Sequence, residues 1–151
     1  MLRQQLKDAL KSAMLGKDAP TVSTVRLILA ALKDRDIAAR SRNVMDGIGE
    51  DEILSMLQGM VKQRKESIVL YDKGGRADLS AKEAGEIAVI EKFLPAKLSD
   101  ADTEAAVRDT IKAIGAQGIK DMGRTMTALK ERYAGRMDFT RASAIVKQQL
   151  G

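Results

Sequence analysis

Two residue types that this chain lacks limit the chemistry it can perform. Its 151 residues include no histidine and no cysteine. Serine hydrolysis by a triad, thiol protease chemistry and glutamine-dependent amide transfer each need a nucleophile with a partner base, usually Cys or Ser with His. The usual zinc ligands and disulfides are absent for the same reason. The composition therefore predicts no catalytic residues of these classes, no metal site and no cofactor.

Carboxylates that are close in sequence remain as candidates for acid–base chemistry. The pairs to consider are Asp34 with Asp36, and Asp51 with Glu52. On a helix, adjacent positions point about 100° apart and positions two apart diverge further, so neither pair converges on one substrate. We interpret both pairs as parts of solvated helix faces.

A segment with two glycines, GAQGIK at residues 115–120, has the composition of a phosphate-binding loop. Glycines let backbone N–H groups approach an anion, and a following helix adds positive potential. A P-loop, however, needs Gly-Lys-Ser/Thr after a strand, and a GXXG loop of the KH type needs a mixed sheet. Helix termination is the favoured explanation of these glycines.

Basic residues form two sets that could contact a nucleic-acid backbone. From Thr110 onward, eight basic residues stand against three acidic ones, so this segment carries the whole formal charge of +5. Concentrated positive charge is what a phosphate-contacting surface needs, although solvated helix faces are the other interpretation of the same residues. We expect phosphate contacts from Lys120, Arg124, Arg136 and Arg141, and a secondary basic stripe from Arg26, Lys33, Arg40 and Arg64.

The elements that must position these residues are helices. Helical periodicity recurs throughout, and two Phe, two Tyr and no Trp leave aliphatic side chains and methionines to fill the core, which suits helix packing. We predict helices over residues 2–16, from Pro20 to about Arg40, over 50–74, from a capping box at Ser80 to Pro95, over 100–114, over 125–133, and from Asp138 onward. Residues 41–49 are predicted to be a mobile loop.

The order of these elements predicts an all-α protein, with a four-helix N-terminal region followed by a small three-helix C-terminal bundle. Pro95 stops one helix and Ser99 caps the next, so we predict domains at residues 1–96 and 97–151. A simple turn between two helices is the alternative interpretation of this boundary.

The hydropathy of the chain and its N-terminal residues indicate where in the cell the protein is expected. No segment approaches the roughly 20 apolar residues that cross a bilayer, so no membrane partner is expected. The amphipathic start contains Asp8 and lacks the uncharged centre of a signal peptide, and acidic residues are rare in mitochondrial presequences. We therefore expect a cytoplasmic location.

Several short motifs, in this order and spacing, resemble the GatB/YqeY family, and specifically its stand-alone YqeY-like members. The motifs are RLILAALK at 26–33, QRKES at 63–67 with Tyr71, GRADL at 75–79, EKFLP at 91–95, KDMGRTM at 120–126 and GRMD at 135–138. The resemblance implies a fold of four helices followed by three. Met137 and Phe139 depart from the small residue and Gly that many relatives carry around the last turn, so a contact made by that turn does not transfer directly.

The resemblance also implies similarity to the tail of the B subunit of glutamyl- and aspartyl-tRNA amidotransferases, a tail that helps to hold tRNA. In those enzymes a separate domain performs phosphorylation and amide transfer, and another subunit supplies ammonia. The expected function is therefore that of a tRNA- or RNA-binding accessory protein, with structured RNA and an aminoacylation or amidation complex as partners. A protein-interaction adaptor with an apolar helical groove is the alternative, and a carbon–nitrogen ligase that uses glutamine as amido donor is the third hypothesis.

Overall fold

The computed structural model describes all 151 residues and confirms the all-α prediction, with seven α-helices and no strand. The helices are α1 (Leu2–Leu15), α2 (Ala19–Ala39), α3 (Glu50–Lys73), α4 (Ala77–Glu91), α5 (Asp100–Ile114), α6 (Met122–Arg132) and α7 (Phe139–Leu150), with short 3-10 turns at Arg40–Arg42 and Ile119–Asp121. No helix combines the length and the apolar character needed to cross a membrane. The chain divides into two compact units, Met1–Pro95 and Ala96–Gly151.

Local side-chain chemistry explains where α5 and α7 begin. The Ser99 hydroxyl accepts a hydrogen bond from the Asp102 amide at 3.1 Å, and the Asp138 carboxylate accepts from the Thr140 amide at 3.0 Å. Such caps satisfy amide groups that have no partner within the first helical turn. Gly115, with φ of 65°, adopts the left-handed conformation that ends α5. The predicted caps at Ser99 and Asp138 are confirmed.

Two helices begin earlier than the sequence predicts. The capping box at Ser80 is wrong, because α4 starts at Ala77 and the Ser80 hydroxyl bonds to the Asp72 carboxylate and, at 3.3 Å, to the Ile68 carbonyl. Gly75, with φ of 70°, adopts the left-handed conformation and reverses the chain in a short turn, so α4 begins only two residues later. The other early start is that of α6, where packing against the C-terminal core outweighs the roughly 1 kcal/mol cost of a helical glycine.

The core of the N-terminal unit is aliphatic and draws on all four of its helices. Leu6 of α1, Ile28 of α2, Leu57 of α3 and Ile90 of α4 are fully enclosed. Each lies on the side of its helix that is buried in the unit, and burial of apolar sides drives helix packing in water. Deeply buried residues of α3 end at Val61, and those of α4 begin at Val89.

An ion pair fixes the segment between α2 and α3 to this unit. The Arg3 guanidinium donates to both carboxylate oxygens of Asp36, at 2.7 and 2.6 Å, and to the Ile48 carbonyl at 2.9 Å. The Ile48 amide in turn donates to Asp36 Oδ1 at 2.9 Å. Ile48 is buried, so the segment that the sequence predicts as a mobile loop is anchored by this latch. Asp36 therefore does not belong to a solvated face.

The latch also changes the titration of Asp36. Hydrogen bonds from Arg3 and, to a smaller extent, from the Ile48 amide hold the pKa of Asp36 below its usual range, although partial burial acts in the opposite direction. Since the charged form is favoured in the folded state, the pair adds stability wherever Asp36 is ionised.

The C-terminal unit has a separate core. Val107 of α5, Leu129 of α6, Val146 of α7 and Met137 from the loop before α7 are almost completely enclosed. The Leu98 amide donates to the Arg136 carbonyl at 2.9 Å, which ties the start of the unit to the loop between α6 and α7. This bond holds that loop against the N-terminal end of α5.

Replacement of Asp36 by Asn is expected to lower the free energy of unfolding at pH 7 by about 1–3 kcal/mol, because the charge-assisted pair with Arg3 is removed. The folded pKa of Asp36 lies below the unfolded value of about 3.9, so its contribution is full well above pH 4 and is lost as the pH falls through the folded pKa. The difference between wild type and Asp36→Asn in urea denaturation should therefore shrink as the pH falls below the unfolded pKa of Asp36 and through its lower folded pKa. Asp34→Asn, an exposed neighbour on the same helix, is the control and should change stability by less than about 0.5 kcal/mol. Equal effects of the two variants would contradict the role of the latch.

Candidate functional site

The four basic residues assigned to phosphate contact all expose their side chains on the C-terminal unit. Lys120 lies in the 3-10 turn before α6, Arg124 in the first turn of α6, Arg136 in the loop before α7, and Arg141 in the first turn of α7. The contacts of these residues show that they do not form one patch.

One pair lies at the C-terminal end of α5. Arg124 donates to the carbonyl of Ile114, the last residue of α5, at 2.9 Å, and pairs with Asp121 at 3.4 Å. Lys120 precedes Asp121 directly. We call Lys120 and Arg124 the distal pair.

The other pair lies at the N-terminal end of α5. Arg141 pairs with Asp100, the first residue of α5, at 2.9 Å, and Arg136 donates to the Ala96 carbonyl at 3.4 Å. We call Arg136 and Arg141 the proximal pair. Because α5 has 15 residues and rises about 1.5 Å per residue, roughly 20 Å separates the two ends that these pairs contact.

The internal partners of these arginines do not prevent them from binding another anion. The side chain of Arg124 is 55% exposed and that of Arg141 is 51% exposed. Ion pairs at such positions contribute about 0–1 kcal/mol, so a phosphate can replace the carboxylate or carbonyl partner at low cost. Both pairs are thus chemically able to contact a polyanion.

The charge of the folded C-terminal unit is smaller than the sequence segment suggests. Residues 96–151 contain ten basic and seven acidic residues, because the acidic start of α5 belongs to the same unit. Their net charge of +3 compares with +2 for residues 1–95. Placement of the basic side chains, rather than net charge, therefore distinguishes this unit.

The glycine-containing segment before α6 is closed by a side chain of the protein itself. The Asp121 carboxylate accepts a hydrogen bond from the Gln117 amide at 2.9 Å. This amide first, and the nearby Arg124 next, hold the pKa of Asp121 below its usual range. The carboxylate thus occupies one of the amides that a phosphate cradle would use, and the segment serves to end α5 and begin α6.

The secondary basic stripe is divided by the structure. Arg26 and Lys33 are exposed on α2, and Arg40 is exposed where the 3-10 turn begins. Arg64 does not join them. Its side chain is only 14% exposed, with Nε at 2.8 Å from Glu86 and 3.9 Å from Glu83, and it donates to the Met60 carbonyl at 3.1 Å.

Sequence reasoning missed both carboxylate partners of Arg64. The turn at Gly74 and Gly75 makes α3 and α4 antiparallel, so residues equally distant from Gly75 lie opposite each other, as Arg64 and Glu86 do. Recognising a helical hairpin centred on these glycines would have supplied the signal. Arg64 thus joins two helices and has little capacity left for an external phosphate.

A shallow groove runs between α3 and α4 beside this ion pair. Its volume is about 450 Å³, and it is lined by Gln63, Arg64, Glu66, Ser67, Leu70 and Glu83. Only Leu70 is apolar, so the groove is not the apolar one that the adaptor hypothesis requires. Carboxylates elsewhere do not converge either: no group of three or more Asp, Glu, His or Cys side chains could hold a metal ion.

Removal of the Arg64 side chain should destabilise the N-terminal unit. Arg64→Ala is expected to lower the free energy of unfolding by about 1–3 kcal/mol, because Glu83 and Glu86 are left partly buried without their cation. Circular dichroism during urea denaturation measures the change. Lys65→Ala, at an exposed neighbouring position, is the matched control and should stay within about 0.5 kcal/mol. An Arg64→Ala variant as stable as this control would contradict the assignment.

Comparisons with known proteins identify relatives of this chain. It is 33% identical over 112 residues to altered inheritance of mitochondria protein 41 of Saccharomyces cerevisiae, covering 72% of this chain and 58% of the relative. The protein of the same name from Eremothecium gossypii is 38% identical over 103 residues, covering 68% and 54%. That from Kluyveromyces lactis is 34% identical over 88 residues, covering 58% and 45%. The chain thus spans about half the length of these relatives.

These relatives correct one expectation, and a family model establishes the family. Their names describe them as mitochondrial, which contradicts the cytoplasmic location expected from the sequence. The model of the YqeY-like protein family matches residues 3–150, nearly the whole chain. The chain therefore belongs to the YqeY-like family.

Proposed function

We propose that this protein is a tRNA- or RNA-binding accessory protein, related to the tail of the tRNA-dependent amidotransferase B subunit and without a catalytic centre of its own. The observation that carries the proposal is the presence of two exposed basic pairs, proximal and distal, at opposite ends of α5. The resemblance of the sequence motifs to a tRNA-holding tail supports it. An aminoacylation or amidation complex would supply the chemistry that this chain lacks.

Two basic pairs about 20 Å apart suit an extended phosphodiester backbone better than a single phosphate group. Each guanidinium can offer two parallel donors to a phosphate. Contacts of this kind fix the register of a nucleic acid without reading its sequence, and they suit a protein that holds RNA for another enzyme.

Carbon–nitrogen ligase activity has less support. Release of ammonia from glutamine requires an activated nucleophile, and the chain has neither His nor Cys to form the usual pair. The exposed carboxylates do not converge on one point. Robust glutaminase turnover by the purified chain would contradict this part of the proposal.

Binding of total tRNA, followed by fluorescence anisotropy, tests the RNA proposal. Affinity should fall steeply with salt, and Arg124→Ala combined with Arg136→Ala should weaken binding. The double replacement should also reduce the slope of log K against log salt by about 0.7–0.9 for each phosphate group that is no longer neutralised. Stability should change by no more than about 1 kcal/mol for each replacement, because both side chains are exposed.

Lys7→Ala combined with Lys11→Ala removes the same charge from the exposed side of α1 and serves as the control. This variant should keep nearly the full affinity and salt slope. Undetectable binding at low salt, or salt-independent binding, would reject the RNA proposal. Equal losses of affinity in the two double variants would show attraction by net charge rather than contact at the ends of α5.

A further inference from the structure

The outer half of the α3–α4 hairpin extends beyond the core of its unit. None of residues 62–88 is buried, whereas Val61 and Val89 on either side of them are. From Val61 to the end of α3 at Lys73 the helix continues for about 18 Å. Helices in proteins owe most of their stability to a packed apolar face. In this segment only half-buried side chains, such as Ile68, Tyr71 and Ile87, provide that face.

Polar bonds hold the two helices of this outer half together. Arg64 pairs with Glu86 across the hairpin, and the Ser80 hydroxyl bonds back to α3 at Asp72. At the turn, Arg76 and Asp78 form a two-bonded pair at 3.1 and 3.0 Å. Each hairpin arginine is therefore satisfied within the hairpin. A side of α3 that starts at the groove, with Glu66 and Leu70, is left uncovered.

That uncovered side combines apolar and basic side chains. Val69 is 53% exposed and Leu70 is 68% exposed. Residues 62, 65, 69 and 73 follow the three- and four-residue spacing of one helix face, so lysines flank Val69 on both sides along the helix. We call this surface the outer α3 face, and its members are Lys62, Lys65, Glu66, Val69, Leu70 and Lys73. Its three lysines form no salt bridge within the chain, and Glu66 is its one acidic residue.

We propose that the outer α3 face is a docking surface for an amphipathic helix of a partner protein, one that carries acidic residues beside its apolar stripe. The apolar side chains of that helix cover Val69 and Leu70, and its carboxylates meet Lys65 and Lys73. An apolar centre with a charged rim is the usual anatomy of a protein interface. Recognition through anchors three and four residues apart is the mode by which amphipathic helices bind their targets.

Charge and exposure favour an acidic amphipathic helix over a nucleic acid or a second copy of this chain as the occupant. A nucleic acid would contact the lysines but would leave Val69 and Leu70 in water, since phosphate groups do not cover apolar side chains. A second copy of the same face would bring like charges together. An acidic amphipathic helix satisfies both the apolar and the basic members of the surface.

Site-specific crosslinking identifies the occupant. A photoreactive amino acid replaces Val69 in the full chain, the protein is irradiated in its native cells, and the crosslinked peptide is identified by mass spectrometry. We expect a peptide that forms an amphipathic helix with net negative charge. A synthetic copy of that peptide should bind the purified chain, with affinity measured by fluorescence anisotropy.

Two variants test the chemistry of the contact. Lys65→Glu combined with Lys73→Glu, and separately Leu70→Asp, should each weaken peptide binding at least tenfold. Lys7→Glu combined with Lys11→Glu makes the same change of charge on α1 and should leave affinity within about twofold. Circular dichroism confirms that each variant is folded.

Several outcomes would overturn the docking proposal. They are a crosslink to RNA, to a second copy or to a basic segment, no crosslink above that of the same photoreactive group at Lys7, and peptide binding that the outer-face variants leave unchanged. Binding of tRNA through α5 does not depend on this face, so the two proposals can fail separately.

Discussion

The two cores consist mainly of aliphatic side chains, because this chain has few aromatic ones. A charged side chain that enters an interface between helices must therefore find a partner there. Removal of a charge from water is costly unless an opposite charge and further hydrogen bonds compensate for it. Arg3 meets this requirement through Asp36 and the Ile48 carbonyl, and Arg64 through Glu86 and the Met60 carbonyl. These two arginines connect helices, and their side chains are therefore occupied within the fold.

Two groups of exposed basic side chains lie on surfaces of different character. Those at the ends of α5 have exposed internal partners that a phosphate group can replace. Those of the outer α3 face surround Val69 and Leu70, an arrangement that suits a protein helix. Together, the two proposals describe a protein that brings an RNA to a second protein.

Several features that depend on neighbours in sequence were predictable from the sequence, although the capping box at Ser80 was not. The caps at Ser99 and Asp138, the stop at Gly115 and the all-α class each follow from local side-chain chemistry and helical periodicity. The roles of Asp36 and Arg64 were not predictable in this way, because their main partners, Arg3 and Glu86, lie 33 and 22 residues away. The charge of the C-terminal unit was overestimated for a related reason: a cut at Thr110 separates the basic end of the chain from acidic residues that fold with it.

The central claim is that an RNA backbone contacts both ends of α5, and nuclear magnetic resonance of arginine side chains tests it most directly. In a titration of the full chain with tRNA, the Nε–Hε signals of Arg124 at one end and of Arg136 and Arg141 at the other should shift together. The signals of Arg3 and Arg64 should stay in place, since their guanidinium groups are bound within the fold. Shifts confined to Arg64 and Arg76 of the α3–α4 hairpin, or no shifts at all at low salt, would contradict the account.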